Sequence, residues 1–91
     1  MRFEWDPAKA KANLGKHDVA FEGAVRVFLD PNRLEMEDDR EDYDETRWYT
    51  IGMVEGVVLA VVYTEGDDTC RIISARKATR QERKKYVSGE I

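Results

Sequence analysis

The chain has 91 residues, enough for one small hydrophobic core and too few for a second. Its 15 basic and 19 acidic residues give a net charge of −4, with 42% hydrophobic residues, which suits a folded domain and excludes a chain that coats nucleic acid by charge alone. A single cysteine, Cys70, and a single histidine, His17, exclude an internal disulfide and a Cys/His zinc cluster within one chain. The longest apolar run, Val57 to Tyr63, is far below the roughly 20 residues that cross a bilayer. No basic, apolar leader opens the sequence, so a reducing cytoplasmic setting without membrane contact is expected.

In chain order, Arg2 to Trp5 reads as a short strand that stops at Asp6-Pro7, a helix cap followed by a first-turn proline. A short basic helix follows, with Gly15 expected to end it. Phe21, Ala24, Val25 and Phe28 have the spacing of an apolar helical stripe, closed by Asp30-Pro31, and predict a second helix. Glu35 to Glu45 holds eight carboxylates against Arg40 alone and reads first as a solvated loop, with docking to a basic protein segment as the alternative. Its spacing fits no calcium loop, and no metal is assigned.

The period then changes. Arg47 to Val54 and Val57 to Thr64 form a hairpin about Glu55-Gly56, and Cys70 to Ala75 adds a third strand to the meander. The apolar run in the second of these marks it as the central, most covered strand. Thr79 with Glu82 fits a capping box, which predicts a helix from Arg80 to Val87. The expected class is α+β: an antiparallel sheet of about four strands, two N-terminal helices and one C-terminal helix in a single domain spanning residues 1–91.

Charge is divided unevenly along the chain. Residues 1–46 carry a net of −6 and residues 47–91 a net of +2, and Arg71 to Tyr86 holds seven basic residues against Glu82 alone. This segment brings guanidinium groups from a strand end to a helix start, both favourable to phosphate. The other reading is an exposed helix made soluble by its cations or paired with the acidic run. Simple alternation puts Arg71 and Arg76 on opposite faces of their strand. His17, beside Lys16 at a helix end, is either a proton-transfer group or a cap, and Tyr63 and Tyr86 are either core aromatics or proton donors and stacking platforms. Trp5 and Trp48 read as core, and Cys70 as a buried, inert thiol. Phosphate loops, GxSxG and HExxH are absent.

Phe3-Glu4-Trp5-Asp6-Pro7, Lys9-Ala10, Asn13, Lys16-His17, Phe21 to Phe28 and Asp30-Pro31 resemble, in order, the BrnT family of type II toxins. Arg47, Ile51-Gly52, Val61 to Thr64, Arg71 to Ala78, Glu82-Arg83 and Tyr86 continue the resemblance over nearly the whole chain. Asp18, where the family usually has Gly, and Glu65-Gly66, near a frequent family Arg, depart from it.

The resemblance implies a RelE-like fold and a ribonuclease that needs no metal or other cofactor and stops translation. It further implies a cognate BrnA-like antitoxin that neutralises the toxin and through which alone the toxin meets DNA. On that footing Arg76 and Arg80 bind and stabilise the phosphate, and His17 or Tyr86 transfers protons. Lys16, Arg47, Tyr63 and Lys77 are the candidate substrate-binding residues. The alternative is a non-catalytic interaction module of the same fold.

Overall fold

The cap signals read from the sequence are realised as hydrogen bonds. In the computed structural model, which describes residues 1–39 and 45–89, the Asp6 carboxylate accepts the Ala8 N–H at 2.8 Å and starts helix α1, Pro7–His17. The helix runs through Gly15, so the expectation that it ends there is corrected. It stops at Asp18, whose φ of 57° is left-handed and whose N–H is donated to the Leu14 carbonyl. Glycine is favoured in that conformation and aspartate tolerates it, which accounts for the departure at this position.

The expected second helix is only half α-helical. Helix α2, Phe21–Ala24, passes directly into a 3₁₀ turn, Val25–Leu29. The fully buried residues are Phe21, Ala24 and Val27, each 0% exposed, and their spacing of three matches a 3₁₀ helix better than an α-helix. This turn lies on strand β3, Trp48–Val54, where a Cβ on Gly52 would meet Val27 Cγ2 at 2.5 Å. Glycine there permits the close approach.

Five strands form one mixed sheet in the order β1-β5-β4-β3-β2, against the four antiparallel strands expected. The others are β1, Arg2–Glu4; β2, Leu34–Glu37; β4, Val57–Gly66; and β5, Thr69–Lys77. β1 runs parallel to β5, while the remaining pairs are antiparallel. β2 comes from the start of the acidic run, where Leu34 is buried and Met36 half-buried between the exposed Glu35 and Glu37. That part is therefore strand and not loop. Residues 40–44, the middle of the run, lie outside the described residues.

The β3–β4 hairpin closes as expected on Glu55 and Gly56, with φ of 50° and 82°, the mirror-image turn that suits the twist of the strands. β4 is buried from Leu59 to Thr64, in keeping with its central place.

A register shift in β5 changes which face its side chains reach. Val62 pairs with Ser74 but Tyr63 with Ile72, so Ile73 is an extra residue in the strand. Ile72 and Ala75 consequently both enter the main core, and Arg71, Ser74 and Arg76 are placed together on the other face. Uninterrupted alternation would have separated the two arginines, so that expectation is corrected.

The main core joins α2 and the 3₁₀ turn to the sheet through Phe21, Val27, Val61 and Ile72, with Trp5 and Trp48 half-buried at its margin. Cys70 is 1% exposed, and burial pushes its thiol up to about 12, which keeps it protonated and inert. Asn13 fastens α1 to the edge of β5. Its amide nitrogen donates to the Val19 and Ala75 carbonyls at 2.9 and 2.8 Å, and its oxygen accepts the Ala75 N–H at 3.1 Å. Helix α3, Arg80–Ser88, covers part of the opposite face above Leu34, Ile51 and Ala78.

Candidate active site

Glu82 is the centre of the polar cluster beneath the start of α3. As the third residue of that helix it completes the capping box, accepting the Thr79 N–H at 2.8 Å while Thr79 Oγ1 accepts the Glu82 N–H at 3.1 Å. Arg76, next to the end of β5, donates to both Glu82 oxygens at 2.7 and 3.1 Å, and Tyr49 on β3 adds its hydroxyl at 2.7 Å. Burial alone would raise the Glu82 carboxyl, but the bonds from Arg76, Thr79 and Tyr49 outweigh it and hold the group down at about 2. The Arg76 side chain keeps 30% of its surface exposed against 10% for Glu82. A permanently charged, planar group is thus fixed in orientation with one side toward solvent.

Beside this pair lie Arg80, exposed at the start of α3, and Arg83, which donates to the Ala78 carbonyl at 2.9 Å, whereas Lys77, exposed and paired with Leu59, alternates to the other face of the sheet. Arg76 and Glu82 neutralise each other, so the positive field here comes from Arg80 and Arg83 together with Lys84 and Lys85. Such an arrangement can attract a phosphate and stabilise charge that develops on it.

The other sequence candidates are dispersed. His17 and Lys16 line a groove between α1 and β5 that also includes Ser74, two residues before Arg76 and on the same face. Tyr86 sits above β3, its hydroxyl donated to Asp30 Oδ2 at 2.5 Å, and that bond raises its pKa to about 12. Asp30 also accepts the Met53 and Asn32 N–H groups, and these bonds with Tyr86 and the charge of Arg33 overcome burial and lower its pKa. Because β4 separates β3 from β5, Tyr86 and His17 are not brought to one point.

Tyr63, expected to bind substrate, is instead 1% exposed in the main core, with its hydroxyl donated to Glu35 at 2.9 Å and its pKa raised by burial. Arg47 precedes β3 and lies four residues, about 13 Å of strand, from the row that pairs Ile51 with Ala60 and Ala60 with Arg76. It stands apart from the Arg76 cluster.

Glu82 was visible in the sequence only as a cap, and Tyr49 only as a strand residue. Their shared contact spans 33 positions and left no local signal. Among the described residues no group of three His, Cys, Asp or Glu side chains could hold a metal ion, and no helix is long and apolar enough to cross a membrane.

The family model described as "Ribonuclease toxin, BrnT, of type II toxin-antitoxin system" matches residues 5–82, which include His17, Arg76 and Arg80 and stop before Tyr86. No curated protein matches the chain. With most of its length under that model, the chain belongs to the BrnT family of ribonuclease toxins of type II toxin-antitoxin systems.

Proposed function

We propose that this chain is a metal-independent endoribonuclease of RelE-like fold that stops translation in the cytoplasm. Membership of its family implies an RNA target and an antitoxin partner. We further assign it a BrnA-like antitoxin, which neutralises it and provides its only route to DNA.

In the reaction, the ribose 2′-hydroxyl loses its proton and its oxygen attacks the adjacent phosphorus. The bond to the 5′-oxygen breaks, that oxygen takes up a proton, and a 2′,3′-cyclic phosphate remains. Arg76 and Arg80 stabilise the charge on the phosphorane, Lys77 helps hold the strand, and His17 moves the proton. Tyr86, kept protonated by Asp30, anchors α3.

The observation that carries this reading is the orientation of Arg76. Two bonds to a buried carboxylate fix a partly exposed guanidinium beside the cations of α3. The same ion pair also favours a second reading, in which Arg76 only ties β5 to α3 and the chain is a non-catalytic binding module.

Cleavage of a ribosome-free, end-labelled RNA in excess chelator, with an all-deoxy strand as control, separates the two when melting is followed on the same samples. The wild-type chain is expected to cut RNA and spare the deoxy strand, and Arg76→Ala to lower cleavage by about 10²-fold or more while remaining folded. Arg76→Lys, which keeps charge but not the bidentate fork, is expected to recover only a small part of that loss. A folded Arg76→Ala protein that cuts normally would overturn the assignment. If free RNA is not cut at all, the same variants are to be compared in a translating extract.

A further inference from the structure

Two surface grooves are lined by cations without a carboxylate, one along α3 with Arg80, Arg83 and Lys84 and one between α1 and the edge of β5. The groove beside the β3–β4 turn includes Asp30 and Glu55, and that beside β1 includes Glu4 and Asp6. The α1–β5 groove is lined by Lys9, Lys16, His17 and Ser74 with no carboxylate, and it encloses about 300 Å³. Ala12 and Ile73, the extra residue of the β5 register shift, add apolar lining.

Lys9 and Lys16 are seven residues apart, two turns of α1, so they follow one stripe of the helix about 10 Å apart along its axis. Asn13, between them in the sequence, has both ends of its amide committed to β5 and Val19 and holds the two walls together. The groove is therefore fixed before any ligand arrives, which lowers the ordering cost of binding.

We propose that this groove is a subsite for single-stranded RNA, seating the backbone next to the scissile phosphate. Its two ammonium groups take phosphate oxygens, the Ser74 hydroxyl and His17 imidazole meet phosphate or ribose hydroxyls, and Ala12 and Ile73 support a sugar or base. The inference rests on the ribonuclease reading and extends it along one strand. Ser74 and Arg76 share a face of β5 and stand about 7 Å apart, so a strand crossing Arg76 toward the sheet edge enters the groove. An acidic peptide would satisfy the ammonium groups equally, but the continuity with Arg76 favours RNA.

The test is binding, by fluorescence anisotropy, of a labelled single-stranded RNA that is 2′-O-methylated throughout and so cannot be cut by its own hydroxyl. The double variant Lys9→Ala/Lys16→Ala is expected to bind about tenfold more weakly and to flatten the dependence of affinity on salt by roughly one phosphate contact per lysine. Lys11→Ala removes a charge from the same helix outside the groove and is expected to weaken binding less than about twofold.

Equal losses in Lys11→Ala and the groove variant, or no binding by the unaltered chain, would overturn the subsite. Unchanged binding in the groove variant would also overturn it, and would leave the ribonuclease reading intact if Arg76→Ala still abolished cleavage. Selective loss in the groove variant of a chain that never cuts RNA would keep the subsite and reject the ribonuclease.

Discussion

The two faces of the sheet are held by different forces. On one face, ten buried residues, Val19 and nine from α2, the 3₁₀ turn and the strands, make a continuous core, with Phe3, Phe28 and Tyr63 in successive ring contacts. On the other, Leu34, Ile51 and Ala78 form a small apolar cluster under α3, with Ala60 and Val62 also buried on that face. That helix is secured at its start by the capping box and the Arg76–Glu82–Tyr49 bonds, and farther along by Tyr86 on Asp30. Apolar burial is insensitive to the orientation of each side chain, whereas hydrogen bonds fix orientation. A face held by polar bonds can therefore present an arginine at a set angle, while the apolar face supplies the stability that such an arrangement needs.

If this division is right, the largest losses of stability follow from truncation on the apolar face. Phe21 is 0% exposed and meets Trp5 edge-on at 5.9 Å. Phe21→Ala is expected to destabilise the fold by about 3–5 kcal/mol, lowering the melting temperature by at least about 12 °C in a domain of this size. Thermal unfolding followed by circular dichroism would measure it, and a loss under about 1 kcal/mol would break the comparison.

Glu82 gives the next effect and places it on the polar face. Its carboxyl is at about 2 in the folded chain against an ordinary 4.5. Stability from this group is complete above about pH 4.5 and is lost as pH falls toward about 2. Glu82→Gln is expected to reduce stability near neutrality by roughly 2–3 kcal/mol and to flatten the decline in that acid window. Because Arg76 also loses its charged partner, cleavage is expected to fall further than the population of folded protein does. Urea titrations at several pH values, with cleavage measured well below the melting temperature, separate these effects. An unaltered acid profile would show that Glu82 is not the group that holds Arg76.

The sequence displayed whatever depends on neighbours in the chain. Asp6-Pro7, Glu55-Gly56 and the Thr79–Glu82 box each contain their own hydrogen-bond partners or required backbone angles, and all three formed where expected. Features decided by distant partners were hidden. β1 was read as a strand, but its parallel pairing with β5, more than 60 residues away, left no local signal, and the 3₁₀ turn forms where Gly52 lets Val27 approach. β2 did carry a local signal, Leu34 and Met36 alternating with Glu35 and Glu37, but the density of carboxylates argued for loop. Of the candidate site, Arg76 and Arg80 could be singled out by charge and position. Glu82 and Tyr49 could not, since their contact is made only when α3 folds back over β3.

Tyr86 provides the finest test of how α3 is held. Its hydroxyl donates to Asp30, and folding raises its pKa from the ordinary 10.0 to about 12. A raised pKa means that the folded chain keeps a proton the unfolded chain releases. The bond's contribution is therefore complete below about pH 10 and is lost as pH rises toward about 12. Tyr86→Phe removes one hydrogen bond while keeping the ring, and is expected to lower stability by about 1 kcal/mol, or about 4–8 °C in melting temperature. The alkaline decline should weaken in the same variant. Cleavage should change far less than the roughly 10²-fold of a lost transition-state donor. A loss of that size at unchanged melting temperature would transfer Tyr86 from anchoring α3 to the chemistry itself, and the proton would then move above β3 instead of at the edge of β5.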